Sequence, residues 1–249
     1  MLHFAVIGSP INHSRSPEIY RELFSKHGID ADFIRLQVEP EELPMIGRIA
    51  SGLSGFAVTM PHKRAIIPYL DKLVPSARAC GSVNIVKRKN GLLIGHNTDG
   101  DGLADAVAEA GIEAAGKRAL ILGRGGAALS AAHALYRRGC RPALLVRGVR
   151  NDTGFEEIPI ELLFDGRIPH FDIFINGSPV GMEGREDFTD LSFIDSISPS
   201  LVFDMVYRND VPTKLVEGAI GRGIKALDGR AMLYKQALRA FDIWFGSDE

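Results

Sequence analysis

Lys63 and Asp99 are of residue types that can hold or move a proton in a reaction. Lys63 follows Met60-Pro61-His62, and Asp99 precedes Gly100 and an apolar stretch. A lysine ammonium can give a proton to a developing alkoxide or hold it by charge. On spacing alone each has an ordinary alternative: a solvated lysine opening a helix, and an aspartate capping one. A third feature is Gly123-Arg124-Gly125-Gly126-Ala127-Ala128, directly after the apolar run Leu120-Ile121-Leu122. This is the GxGxxA form of a dinucleotide fingerprint, between a strand and a helix as such a fingerprint requires. Gly123 permits the tight turn, Gly125 lets backbone approach a pyrophosphate, and Ala128 allows close packing of helix on strand. The free N–H groups of the helix then face the phosphates. A glycine-rich turn without a ligand is the alternative.

The following strand separates the two nicotinamide dinucleotides. A site for NAD carries an acid about 20 residues downstream, on the ribose hydroxyls. Here the strand ends Leu144-Leu145-Val146-Arg147, with no acid before Asp152. An arginine fork in that place suits a 2′-phosphate, so the residues favour NADP, with NAD as the alternative. Arg124 and Arg150 can assist the phosphate or be surface charges.

Short apolar runs alternating with helical patterns must position these groups. Strands are expected at Phe4–Gly8, Phe33–Val38, Gly55–Thr59, Val83–Lys87 and Leu92–His96, with helices at Ser16–His27 and roughly 41–50. Asn90-Gly91 between two apolar runs signals a hairpin. A helix from Asp99 or Gly100 to about Ala110 then leads into a βα series. Its strands are expected at Arg118–Leu122, Ala143–Val146, Asp172–Asn176, Leu201–Asp204 and Ile224–Ala226, and its helices at Ala127–Arg138, Thr213–Gly221 and Ala231–Phe245. Arg147–Gly154 reads as a polar loop. Such alternation predicts a mostly parallel sheet. The expected fold class is therefore α/β in two domains. A mixed α/β substrate domain spans 1–100 and is joined by a C-terminal helix over 230–249, and a Rossmann-like domain spans 101–229.

Composition excludes several classes. The 249 residues carry a formal net charge of −2, which gives no electrostatic case for nucleic acid or an anionic membrane. No window approaches the roughly 20 apolar residues of a membrane span, and the amino terminus lacks the pattern of a signal peptide. Cys80 and Cys140 stand apart with no CxxC, and His13 and His62 have no partners at metal-ligand spacing, so no metal is expected. Two free buried thiols and a cytoplasmic, soluble protein are the expectation. No GxSxG elbow and no GxxxxGK[ST] loop is present.

Seven segments, in order, resemble the shikimate dehydrogenase family. They are Val6-Ile7-Gly8-Ser9-Pro10-Ile11-Asn12-His13-Ser14-Arg15-Ser16-Pro17, Gly55-Phe56-Ala57-Val58-Thr59-Met60-Pro61-His62-Lys63, and Gly81-Ser82-Val83-Asn84. Then come Gly95-His96-Asn97-Thr98-Asp99-Gly100, Asn176-Gly177-Ser178-Pro179-Val180-Gly181-Met182, Asp204-Met205-Val206-Tyr207, and Gly229 through Gln236-Ala237. The resemblance covers nearly the whole chain. It implies an NADP-dependent oxidoreductase, NAD being possible, that interconverts shikimate and 3-dehydroshikimate in chorismate and aromatic amino acid biosynthesis, with Lys63 and Asp99 as the catalytic pair. It implies that Ser14 and Ser16 hold the substrate carboxylate, that Thr59, Asn84 and Gln236 contact ring hydroxyls, and that Tyr207 lines the pocket. It places Gly123, Arg124, Gly125, Gly126, Ala127, Arg147, Asn176, Ser178, Met205, Gly229 and Met232 at the cofactor. The partner implied is a small cyclic hydroxy acid, taken by a monomer or homodimer.

The sequence departs from that pattern at five places. Ala57 stands where the family usually has Asn, Ile85 where Thr is common, and Arg124 where the glycine loop usually has Ala. Val146-Arg147-Gly148 replaces Asn-Arg-Thr or Asn-Arg-Ser, and Asn209 stands where Pro often follows the tyrosine. The first two leave quinate or an amino analogue open as substrate, and a ligand-sensing regulator on the same fold is the alternative of another class. Retention of both Lys63 and Asp99 argues against a sensor, which needs no proton donor. Arg147→Ala is expected to weaken NADP far more than NAD in a binding titration; equal loss for both would remove the case for a 2′-phosphate site.

Overall fold

The computed structural model describes residues 1–163, 165, 167–208 and 211–246; Asn209 lies outside them, as do the last three positions of the expected C-terminal helix segment. The chain divides into two compact units. One is Met1–Thr98 together with the chain from Gln236 onward, and the other is Asp99–Lys235.

The first unit runs β1 (Leu2–Gly8), α1 (Ser16–Lys26), β2 (Ala31–Gln37), a 3-10 segment (Pro40–Met45), α2 (Ile46–Ile49), β3 (Gly55–Val58), α3 (His62–Ala65), β4 (Lys72–Leu73), α4 (Pro75–Cys80), β5 (Ile85–Lys89) and β6 (Leu92–His96). Its sheet has the order β2-β1-β3-β5-β6-β4. β1 is parallel to β2 and β3, and β5 is antiparallel to both β3 and β6. Asn90 and Gly91 both take positive φ, 52° and 81°, as a two-residue type I′ hairpin requires. The helix expected at 41–50 becomes a 3-10 segment and a single α turn. Pro44 lies inside it and supplies no N–H to an i−4 carbonyl. Pro17 opens α1, where its missing N–H costs nothing.

The core of this unit combines an aliphatic cluster, with Ala5, Ile7, Val58 and Ile66 among its members, and an aromatic one. Tyr20 stacks on Phe33 at 4.4 Å between ring centroids, and Phe4 lies 4.7 Å from Trp244. Trp244 belongs to α9 (Gly229–Phe245), whose residues from Gln236 belong to the first unit. Its indole N–H donates to the Val86 carbonyl at 3.1 Å.

The second unit runs α5 (Asp99–Glu109), β7 (Arg118–Leu122), α6 (Gly126–Arg137), β8 (Arg141–Val146), β9 (Glu156–Pro159), β10 (Ile173–Asn176), α7 (Phe193–Ile197), β11 (Leu201–Asp204), α8 (Lys214–Ile220), β12 (Lys225–Asp228) and the first turns of α9. Its six strands are all parallel, in the order β9-β8-β7-β10-β11-β12. Counted within the unit this is 3-2-1-4-5-6, the doubly wound dinucleotide topology. Alternate residues of β7 serve opposite layers. Ala119 and Ile121 pack with α5 and α6, and Leu120 and Leu122 pack with α7 and α8. β9 carries no strand signal in the sequence, because Glu156-Glu157-Ile158-Pro159 lacks an apolar run. Among the described residues no helix is long and apolar enough to cross a membrane.

α5 lies against α6 so closely that Gly100 has no room for a side chain. A Cβ there would fall 2.1 Å from the Ser130 carbonyl oxygen. The Gly100 N–H donates to Ser130 Oγ at 2.7 Å. Gly100→Ala is expected to destabilise the protein by about 1–3 kcal/mol or more, the usual cost of overpacking against backbone. The midpoint of urea unfolding reads this directly, and an unchanged midpoint would mean that the two helices can separate freely.

Candidate active site

In the second unit the strand order reverses between β7 and β10, and ligands of such sheets bind outside the carboxyl ends of the strands at that point. The glycine loop lies there. Gly123 has φ +110° and donates to the Leu145 carbonyl at 2.9 Å, and Gly125 is the N-cap of α6. A Cβ on Gly125 would meet nothing within 4 Å, so the backbone ahead of α6 faces open space. From β10, Gly177 comes so near that a Cβ on it would sit 2.9 Å from the Cα of Ala128.

Asn176 is wholly buried and lies beneath this surface. Its amide donates at 2.9 Å to the Val180 carbonyl and to Asp204 Oδ1, and its oxygen accepts from the Ser178 N–H and hydroxyl. Asp204 accepts three bonds, from Asn176, from the Val206 N–H at 3.0 Å and from the Thr213 hydroxyl at 2.6 Å. This network fastens the loops after β10 and β11 and the start of α8. Gly229 is buried, and a Cβ added there would lie 2.4 Å from the Met205 carbonyl oxygen; Tyr207, half-buried, lies beside it. Met232 is 7% exposed and belongs to the core.

Arg147, directly after β8, is exposed and lines a recess of 290 Å³ with Arg124, Val146, Gly148, Val149 and Arg150. Arg124 is turned inward, with its guanidinium on the buried Glu157 carboxylate. Burial pushes that carboxyl up, but donors from the Arg150 and Asn151 backbone, Arg124 and Thr153 outweigh it and hold it down at about 2.

In the first unit the loop after β1, the turn after β3, the residues before β5 and those after β6 all emerge at one edge of the sheet. That edge collects Ser14, Ser16, Thr59, Lys63, Asn84 and Thr98. The hydroxyl of Ser14 donates to that of Ser16 at 3.3 Å and accepts from its N–H, so the pair orders the entry to α1. Thr59 is half-buried, and its methyl occupies space that a side chain on Gly8 would fill. Lys63 lies on α3, and its carbonyl accepts from the Val83 N–H at 2.7 Å. Asn84 is 3% exposed; its amide donates to Thr98 Oγ1 at 2.9 Å and Gln236 Oε1 at 3.2 Å, and its oxygen accepts from the Thr98 N–H. Thr98 was given no role by sequence reasoning, although it sits inside the aspartate motif. His62 gives one ring nitrogen to the Val38 carbonyl at 2.5 Å, a structural contact. Asp99, the first residue of α5, is 6% exposed and counts with the second unit.

Two departures prove to be one. Ala57 on β3 is the direct cross-strand partner of Ile85 on β5, and both are buried. Where the family usually has Asn and Thr, one apolar residue faces another, and no polar side chain at either position is left without a partner.

An all-parallel sheet in this order, with a glycine loop at its switch point, defines a Rossmann-type dinucleotide unit, here joined in one chain to a mixed α/β unit. Residues 6–86 match the family model of the shikimate dehydrogenase substrate binding domain. Curated relatives include a shikimate dehydrogenase (NADP(+)) from Geobacter metallireducens, 36% identical over 98% of this chain and 91% of its own, and one from Moorella thermoacetica, 36% identical over 98% and 88%. Among solved structures, shikimate 5-dehydrogenase of Thermus thermophilus in complex with NADP(H) and shikimate has a TM-score of 0.84 at 29% identity, covering 99% of this chain and 94% of that one. The chain belongs to the shikimate dehydrogenase family.

Burial pushes the Asp204 carboxyl up to about 6, further than the bonds from Thr213, Val206 and Asn176 pull it down. From its ordinary value of 3.8 up to about 6, the native carboxyl keeps a proton that the unfolded chain has lost. This site therefore favours folding at low pH and loses that contribution as pH rises through about 6. Asp204→Asn, compared with wild type by urea unfolding, should gain about 1 kcal/mol relative to it between about pH 5 and about pH 7.5. A pH-independent difference would show that Asp204 does not titrate in this range.

Proposed function

We propose that this protein is an NADP-dependent shikimate dehydrogenase, interconverting shikimate and 3-dehydroshikimate. The observation that carries the reading is full-length similarity to proteins of that name with Ser14, Ser16, Thr59, Lys63, Asn84, Asp99 and Gln236 all at their motif positions. The fit of the cofactor rests on the open space ahead of α6, the Gly123 turn and the basic recess around Arg147.

Bound NADP would supply hydride transfer at the reacting carbon. The chain supplies the rest. Gly123, Gly125, Gly126 and Ala127 receive the pyrophosphate at the start of α6, and Arg147 receives the 2′-phosphate. Ser178, Met205, Gly229 and Met232 shape the nicotinamide side, with Asn176 holding Ser178 from below. Ser14 and Ser16 donate to the substrate carboxylate, while Thr59, Asn84 and Gln236 fix its ring hydroxyls. Tyr207 borders the ring. Lys63 gives a proton to the alkoxide oxygen formed in reduction and stabilises that oxygen by charge; Asp99 completes the pair. The protein takes a small hydroxy acid, neither nucleic acid nor membrane, and acts in the cytoplasm as a monomer or homodimer. Its net charge of −2 and its two free buried thiols support that setting.

The test is the absorbance of reduced nicotinamide with shikimate and quinate, each with NADP and NAD. Fastest turnover is expected for shikimate with NADP; none in any pairing would overturn the proposal, and a preference for quinate would assign the Ala57–Ile85 change to specificity. Lys63→Ala is expected to lower kcat by about 10²–10⁴ while shikimate still binds in calorimetry. Near-normal turnover would remove Lys63 from the chemistry.

A further inference from the structure

Glu157 is the second residue of β9, and none of its side chain reaches solvent. Its Oε2 accepts from Arg124 Nη2, from the Arg150 N–H at 2.7 Å and from the Asn151 N–H at 3.1 Å. Its Oε1 accepts from the Thr153 hydroxyl at 3.1 Å. One carboxylate thus ties the glycine loop to both limbs of the connection after β8. The successive N–H groups of Arg150 and Asn151, with Asn151 at φ 55°, form the kind of concavity that binds anions, and Glu157 already fills it. Arg124 is likewise committed. Nη1 lies 3.7 Å from Asp152, and Nε is buried with no hydrogen-bond partner among the described residues. Arg147 and Arg150 remain exposed on the same recess.

We propose that Glu157 is the positioning residue for recognition of the 2′-phosphate. It fixes the 147–151 loop so that the Arg147 and Arg150 side chains face the phosphate, and Arg124 is its strut rather than a phosphate ligand. A buried anion beneath three guanidinium groups also offsets their mutual repulsion before any phosphate arrives. Ionisation is secure at any working pH, because four donors hold the carboxyl far below neutrality. The inference rests on the NADP reading above.

The experiment compares binding of 2′,5′-ADP with 5′-AMP, and of NADP with NAD, by calorimetry on the full chain. Wild type should prefer the 2′-phosphorylated member of each pair; if it does not, the NADP reading itself fails. Glu157→Gln should cut that preference about tenfold or more, with the affinities for 5′-AMP and NAD held within about twofold. Thr153→Val removes only the hydroxyl donor and should lower the preference in the same direction, by about twofold or more. A wild-type preference in folded Glu157→Gln, tighter NADP binding in it, or equal loss for both members of each pair would overturn the inference. If Glu157→Gln does not fold, an unchanged preference in Thr153→Val overturns it.

Discussion

The second unit is organised around one close approach, that of Gly177 to Ala128. The loop leaving β10 must pass within van der Waals contact of the first turn of α6, because only then do the helix N–H groups open on the switch point between β7 and β10. Any larger residue at either position would push α6 away from the sheet. The turn at Gly123, the N-cap at Gly125 and the packing of α5 on α6 all presuppose that distance. The small residues there set the placement of backbone donors, and the chemistry depends on that placement.

Within each unit a set of buried polar side chains is satisfied by its own members. Asn176, Ser178, Asp204 and Thr213 form one set beneath the loops after β10 and β11, and Asn84, Thr98 and Gln236 form another in the first unit. Each loses rotational freedom to the others, so the groups that face outward stand on a fixed floor. Asp204 is the costly member. It is held by three donors and yet keeps its proton more tightly than an ordinary carboxyl, because desolvation outweighs the three bonds.

Much of this architecture is legible in the residues. The type I′ turn at Asn90-Gly91, the strand Arg118–Leu122 and the glycine loop follow from local rules, and each is where those rules place it. The motif segments converge at one end of each sheet for a simple reason: residues after parallel strands, and those before a strand antiparallel to them, emerge at the same end. What stayed hidden was decided by tertiary partners. Glu156-Glu157 carries no strand signal, since a buried glutamate makes sense only once Arg124 and two backbone N–H groups surround it. The resemblance implies Asn176 at the cofactor, and its motif gives no sign that the side chain is committed to Val180, Ser178 and Asp204. The segment from Pro40 has helical periodicity, but Pro44 leaves it only 3-10 bonds and one α turn.

The pairing of Ala57 with Ile85 has an evolutionary consequence. The two positions lie opposite each other in an antiparallel ladder, so they share one small volume. Restoring asparagine at 57 alone would press an amide against isoleucine, and restoring threonine at 85 alone would bury a hydroxyl facing a methyl group. Each single step sets a polar group against an apolar one, at a cost of about 1–3 kcal/mol where it finds no partner, while the double step sets an amide opposite a hydroxyl. The two sites are therefore epistatic, and a lineage that has crossed to the apolar pair meets a barrier on the way back.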